Sequence, residues 1–187
     1  MSLKKWVFLQ GINVVVFVVI VAVNALAGST TLLNGRTSAD ISDLYPTLIT
    51  PAGYTFSIWG LIYTLLLVFT IYQVLPRSRE KPFLRQVSFL FALSGILNVL
   101  WLFLWHYDII TPSIVLMFAL LATLIAIYLR LDIGRADVPL REKACVHMPF
   151  SVYLGWITVA TIANVAVALT AMVGMAVAWT AGLGLCL

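Results

Sequence analysis

Charge is scarce in this chain. Only 10% of its 187 residues are Asp, Glu, Lys or Arg, where a soluble domain carries roughly a quarter. With 63% hydrophobic residues, that excludes an ordinary soluble domain and leaves one integral membrane domain over 1–187. Cysteine is equally sparse. Cys145 and Cys186 form no disulfide framework and no metal-spacing motif, and each reads as a buried, inert thiol. The two histidines, His106 and His147, fall at opposite membrane faces, so they cannot share a metal or ligate one heme axially. His106, beside Asp108, reads as a solvated helix end. No charged residue lies well inside an apolar segment, which argues against ion-coupled transport and proton pumping. No Ser-His-Asp, Cys-His, paired-carboxylate or phosphate-loop arrangement occurs. The net charge of +4 sits in short loops between apolar segments, which argues against nucleic acid as a partner and for the lipid bilayer.

What is abundant is apolar sequence of membrane-spanning length. A transmembrane helix needs about 20 mostly apolar residues. Five segments meet this, near 6–27, 54–75, 86–106, 110–130 and 148–169. A further apolar stretch, 170–187, follows without a charged loop. The expected fold class is all-α: a polytopic transmembrane bundle of five helices. The C-terminal stretch is either a protruding helix end or a partial sixth helix starting near Thr170. Lys4, Lys5, Arg77, Arg79, Lys81, Arg85, Arg130, Arg135, Arg141 and Lys143 fall on one side of an alternating topology, and only Arg36 falls on the other. The positive-inside rule therefore places the N-terminus in the cytoplasm and the 28–53 loop outside. Lys4, Lys5 and Ala25-Leu26-Ala27 imitate a secretory signal, but the apolar run exceeds the usual 7–15 residues. Asn13 and Asn24 also share one helix face. A retained, bundle-packed helix is preferred to a cleaved signal.

Aromatic and amide residues recur deep within these segments, where lipid-facing helices carry aliphatic ones. Phe56, Trp59 and Tyr63 share a face of the second helix. Ser94, Asn98, Trp101 and Trp105 share a face of the third, and Tyr153, Trp156, Ala160 and Asn164 one of the fifth. Turned toward each other, the three stripes wall a cavity suited to a planar, largely apolar ligand held by stacking and a few hydrogen bonds. The competing reading is helix packing, with aromatics filling volume and Asn tethering neighbouring helices. The 28–53 loop carries the turn signal Asn34-Gly35, and Pro51 marks the entry to the second helix. Such a long loop is either a lid over the cavity or a mobile surface segment.

These residues carry a resemblance to the translocator protein, or tryptophan-rich sensory protein, family (TspO/MBR). Trp59-Gly60-Leu61-Ile62-Tyr63 resembles the family's Trp-Gly-x-Leu-Tyr region, and Asn98-Val99-Leu100-Trp101 resembles its Asn-x-x-Trp. Trp156 through Ala160-Thr161 to Asn164 resembles its Trp-x-x-x-Ala-Thr-x-x-Asn, preceded by Pro149-Phe150. Tyr45-Pro46-Thr47-Leu48 with Pro51 faintly resembles its first loop, although Thr50 stands where the family usually has Lys. The fourth helix has Ile127 where a Trp is common. The resemblance implies a five-helix bundle, often a homodimer. It implies a receptor- or sensor-like protein with a hydrophobic small-molecule ligand, either a tetrapyrrole (protoporphyrin or heme-like) or a sterol- or isoprenoid-like molecule, and no required cofactor. Trp59, Tyr63, Asn98, Trp101, Trp156 and Ala160 match the family's ligand pocket. An alternative it implies is a light- or oxygen-dependent porphyrin-degrading enzyme using Trp59 and Trp156; a small-molecule transporter or membrane scaffold is a further alternative. Two looser signals remain. Leu124-Tyr128-Arg130 and Val68-Tyr72-Arg77 fit a weak cholesterol-contact pattern that interfacial anchoring also explains. Ala166, Thr170, Gly174, Ala178, Gly182 and Cys186 recur every four residues as a packing seam, within the chain or across a dimer.

Overall fold

The computed structural model describes the backbone of residues 3–44, 46–47 and 49–184, and their side chains except those of 3–5, 39 and 173–184. Within it the helices are α1 (Leu3–Ser29), α2 (Ser38–Asp43), α3 (Ile58–Val74), α4 (Phe83–Val87), α5 (Leu90–His106), α6 (Ile110–Arg130), α7 (Leu140–Glu142) and α8 (Met148–Gly184). A 3₁₀ turn over Gly53–Ser57 leads into α3, and a π-helical turn over Lys143–His147 joins α7 to α8. No strand occurs among the described residues. Helix is the form that satisfies every backbone polar group within one segment, as a lipid environment requires. Large aliphatics such as Val18, Leu61, Val115 and Ile162 stay exposed on the outer surface, where lipid rather than water is their solvent.

Five helices close into a ring: α1 packs on α5, α5 on α6, α6 on α8, α8 on α3, and α3 back on α1. At the end carrying Lys81 and Glu142, the basic end, the ring is plugged by Phe69, Phe83, Phe91 and Phe150. The Phe69 ring lies 4.9 Å from that of Phe150 and 5.1 Å from that of Phe91. Lys81 Nζ also reaches Glu142 Oε2 at 3.7 Å. Polar ties join the helices. Gln10 Nε2 donates to the Gln73 carbonyl at 2.6 Å, and Asn13 Nδ2 to Gln73 Oε1 at 3.0 Å. Asn24 Nδ2 donates to Asn98 Oδ1 at 2.8 Å. Ser113 and Asn164 are hydrogen-bonded between α6 and α8 at 3.2 Å.

The structure corrects several expectations. The third segment does not run from residue 86. It breaks at Ser88, whose φ of 46° no helix interior accepts, so α5 begins at Leu90. α8 continues unbroken past Thr170 to Gly184, so no sixth helix starts there. His106 is fully buried rather than solvated: its Nδ1 lies 3.0 Å from the Leu102 carbonyl, and Asn34 Nδ2 donates to the His106 carbonyl at 2.7 Å, satisfying one of the orphaned oxygens at the end of α5. Cys145 is half-buried, not buried. Cys186, Tyr45 and Leu48 lie outside the described residues, as do the side chains of Gly174, Ala178 and Gly182.

Gly95 permits the close approach of α1 and α5. A Cβ there would land inside contact distance of Val16 Cγ1 and Ile20 Cδ1. Gly95→Leu is expected to push α1 outward, stretch the Asn24–Asn98 bond and destabilise the protein by about 1–3 kcal/mol. Thermal unfolding in detergent checks this. An unchanged midpoint would show that the two helices do not depend on this contact.

Candidate ligand-binding site

The loop half of the ring is built differently from the plugged basic half. Here the three stripes converge: Trp59 from α3, Trp101 and Trp105 from α5, and Trp156 from α8. The Trp59 ring stands edge-on to Trp156, centroids 6.2 Å apart at 84°, and Phe56 meets Trp156 at 6.4 Å. Trp101 stacks on Trp105 at 5.9 Å and 24°. These rings wall a cavity of about 40 Å³. Val159, Ala160, Ala163, Asn164 and Val167 complete the wall on the α8 side.

The loop closes over this cavity. Ser42, Thr47, Thr50 and Pro51 all line it. The turn at Asn34-Gly35 has both residues at positive φ, 53° and 70°, as an Asn-Gly turn favours. α2 is then nucleated by a capping box. The Thr37 backbone N–H donates to Asp40 Oδ2 at 2.7 Å, and the Asp40 N–H donates to Thr37 Oγ1 at 3.3 Å. That reciprocal pair satisfies two donors at the start of α2 and sets Ile41 and Ser42 inward, where both are buried. Of the two readings left open for the loop, the structure has the folded cover. The signal for it, Thr37 three residues ahead of Asp40, was present in the sequence and went unread. Sequence reasoning did not single out Ser42, Thr47, Val159, Ala163 or Val167 for the lining.

The structure places the six expected site residues in three settings. Trp59, Trp101, Trp156 and Ala160 face one cavity together. Tyr63 stacks on Trp59, centroids 5.5 Å apart at 13°, and lines a neighbouring cleft instead. Asn98 is fully buried and lines neither space; its Oδ1 is taken by Asn24. Asn164, although on the cavity wall, is also tied to Ser113. The amides thus act as tethers, the packing role weighed above, while the indoles form the walls. Four buried donors at and behind these walls have no partner: Nε1 of Trp101, Trp105 and Trp156, and the Tyr63 hydroxyl. Among the described residues no cluster of His, Cys, Asp or Glu could hold a metal ion.

Four helices apolar and long enough to cross a membrane, with the shorter apolar α5 among them, define the class: an integral membrane protein of helical-bundle type. The sequence narrows this further. Over residues 10–183 it matches the TSPO-like protein family, and the chain belongs to that family, which makes it a membrane protein of the ligand-binding or sensor kind. No curated protein and no solved structure matches it.

The capping box makes the start of α2 a place where acid should act. The Asp40 carboxyl is held below its ordinary range, first by the hydrogen bond from the Thr37 backbone, then by the Thr37 hydroxyl and the nearby Arg36. A depressed carboxyl pKa contributes stability above the unfolded value, about 3.9, and loses it as pH falls through the lower folded value. Amide exchange across 38–43 is expected to stay slow from neutral pH to about 5 and to accelerate, relative to intrinsic rates, below about 4. In Asp40→Asn the acceleration should already be present at neutral pH. A wild-type lid insensitive to acid would remove the capping box from this account. Between helices, a double-mutant cycle of Asn24→Val and Asn98→Val should return a coupling of about 0.6–2 kcal/mol. A coupling near zero would show that the tie contributes nothing to stability.

Proposed function

We propose that the protein binds a planar, largely apolar ligand carrying hydrogen-bond acceptors. A metal-free tetrapyrrole of the protoporphyrin kind is the first candidate, and a sterol- or isoprenoid-like molecule the second. One observation carries the reading. The indole N–H groups of Trp101, Trp105 and Trp156 are buried without partners, on rings that wall a cavity lined by no charged side chain among the described residues. An indole can only donate, and each buried donor left unpaired costs about 1–3 kcal/mol. A ligand that brings acceptor atoms recovers that cost. Flat ring walls favour a flat partner through offset stacking and edge-on contact.

The lining also discriminates within the tetrapyrrole class. Among the described residues no His, Cys, Met or Tyr lines the aromatic cavity, so nothing there offers an axial ligand to iron. That favours the metal-free macrocycle over heme. In this reading Trp59, Trp101 and Trp156 wall the ligand and Ala160 presents only a methyl on the α8 side. At about 40 Å³ the cavity is closed around itself, and it must widen to seat a ligand, because small-molecule sites run to about 300–1,000 Å³. Tyr63 backs the Trp59 ring by stacking on it, and Asn98 holds the wall through its bond to Asn24. The ten-to-one distribution of Lys and Arg supports a cytoplasmic N-terminus, with the loop covering the chamber on the outer side.

A second reading is oxidative breakdown of a bound porphyrin in light, with molecular oxygen as oxidant. The edge-on contact of Trp59 and Trp156 on one cavity wall favours it, since both indoles lie in reach of one ligand. The two readings separate in a single titration of purified protein with protoporphyrin, dark and illuminated, following tryptophan fluorescence and porphyrin absorbance. Saturable quenching with unchanged absorbance is expected, with binding weakened on the order of tenfold, or about 1.4 kcal/mol, in Trp156→Phe and Ala160→Leu. Light-driven bleaching that disappears in Trp59→Phe or Trp156→Phe would instead establish the enzyme. Wild-type protein without saturable quenching would sink both and leave a transporter or scaffold.

A further inference from the structure

We propose that the buried amide cluster between α1 and α3 at the basic end is a binding site for a single ordered water molecule, which ties both helices to the break between α4 and α5. The site lies apart from the aromatic chamber and does not depend on what binds there.

Three observations meet at this place. The first is a pair of orphaned polar atoms. Asn13 Nδ2 donates to Gln73 Oε1 at 3.0 Å, yet Asn13 Oδ1 and Gln73 Nε2 have no partner, although the two residues are only 4% and 1% exposed. Turning both amides over exchanges the roles of the atoms and still strands one donor and one acceptor. Such a pair calls for one group that donates and accepts at once. The second observation is space. Asn13 and Gln73 line a cavity of about 10 Å³, at the lower edge of the roughly 10–15 Å³ that one water needs. No larger guest fits. The third is strain. Ser88 lines the same cavity at φ 46° and ψ −134°, a conformation ordinarily left to glycine. Strain of this kind persists only where the surroundings hold it in place.

A water seated here donates to the Asn13 oxygen and accepts from the Gln73 amide. Its second hydrogen is free for the Ser88 hydroxyl, which completes the two to four partners a buried water requires. Asn13 comes from α1, Gln73 from α3 and Ser88 from the α4–α5 break, so one molecule bridges three elements and holds Ser88 in its strained turn. Gln10 also lines the cavity, but its amide is engaged by the Gln73 carbonyl. Phe69 closes the inner side. It lines this cavity and belongs to the phenylalanine plug, which separates the water from the indoles.

Radiolytic hydroxyl-radical labelling of the full chain in nanodiscs tests this, because a deeply buried ring is oxidised only where a bound water generates the radical beside it. Phe69 is expected to be oxidised several-fold faster than Phe91 and Phe150, its equally buried neighbours in the plug. The double variant Asn13→Leu/Gln73→Met leaves the seat almost wholly apolar, and small apolar cavities stay dry. Phe69 oxidation should then fall to the level of Phe91. If wild-type Phe69 is as protected as Phe91, or is oxidised equally in the double variant, these amides hold no water and the proposal is overturned. Should the double variant lose its helical circular dichroism, a crystal structure of the wild-type chain grown in lipid decides. Density within about 2.7–3.2 Å of both Asn13 Oδ1 and Gln73 Nε2 supports the site, and no density there overturns it.

Discussion

Closure of the ring through α1 and α5 is the constraint from which the rest follows. Between helices in lipid there is no hydrophobic driving force, so association depends on close packing and polar ties. Gly95 supplies the first, letting Val16 and Ile20 of α1 sit against the α5 backbone. The Asn24–Asn98 bond supplies the second. With α1 fixed to α5 on one side and to α3 by Gln10, Asn13 and Gln73 on the other, the five helices enclose an interior. Without that closure α3 would present Trp59 and Tyr63 to lipid, and neither the chamber nor the cleft would exist.

The interior is then divided by chemistry along the bundle axis. The basic end holds phenylalanine rings packed edge against face, which fill volume and ask for no hydrogen bonds. The loop end holds indoles, which fill volume but each carry a donor. Burying that donor without a partner is a standing cost, tolerated where a ligand can relieve it. The amides serve a different purpose. Asn24, Asn98 and Asn164 bond across helix seams and fix the walls on which the indoles stand. Fixed walls matter for recognition, because a preorganised site orders fewer groups on binding.

Much of this was legible in the sequence because helical periodicity is local. The registers of Trp59, of Trp101 with Trp105, and of Trp156 with Ala160 placed them on single faces, and the faces do converge. What periodicity cannot supply is the partner across a seam. Asn98 reads as a pocket residue by register alone; that its oxygen is taken by Asn24, 74 positions away, is a tertiary fact. His106 reads as solvated for the same reason, since the Asn34 amide that covers the end of α5 comes from 72 positions earlier. Tyr63 shares a face with Trp59 but lies behind it, because one turn further along α3 the neighbouring wall is the α1 cleft. The break at Ser88 was hidden by apolar residues on both sides, which hydropathy reads as one segment.

The π-helical turn at Lys143–His147 has a consequence for phase. Each residue advances a helix by about 100°, so a single added or missing residue rotates everything beyond it by that angle. α7 and α8 answer two alignments at once: Glu142 must point at Lys81, while Trp156 and Ala160 must point inward. A wider turn between them works as a vernier, letting the two ends of one continuous rod keep separate clocks. The anchor at the basic end and the wall of the chamber can therefore each hold its own angular setting.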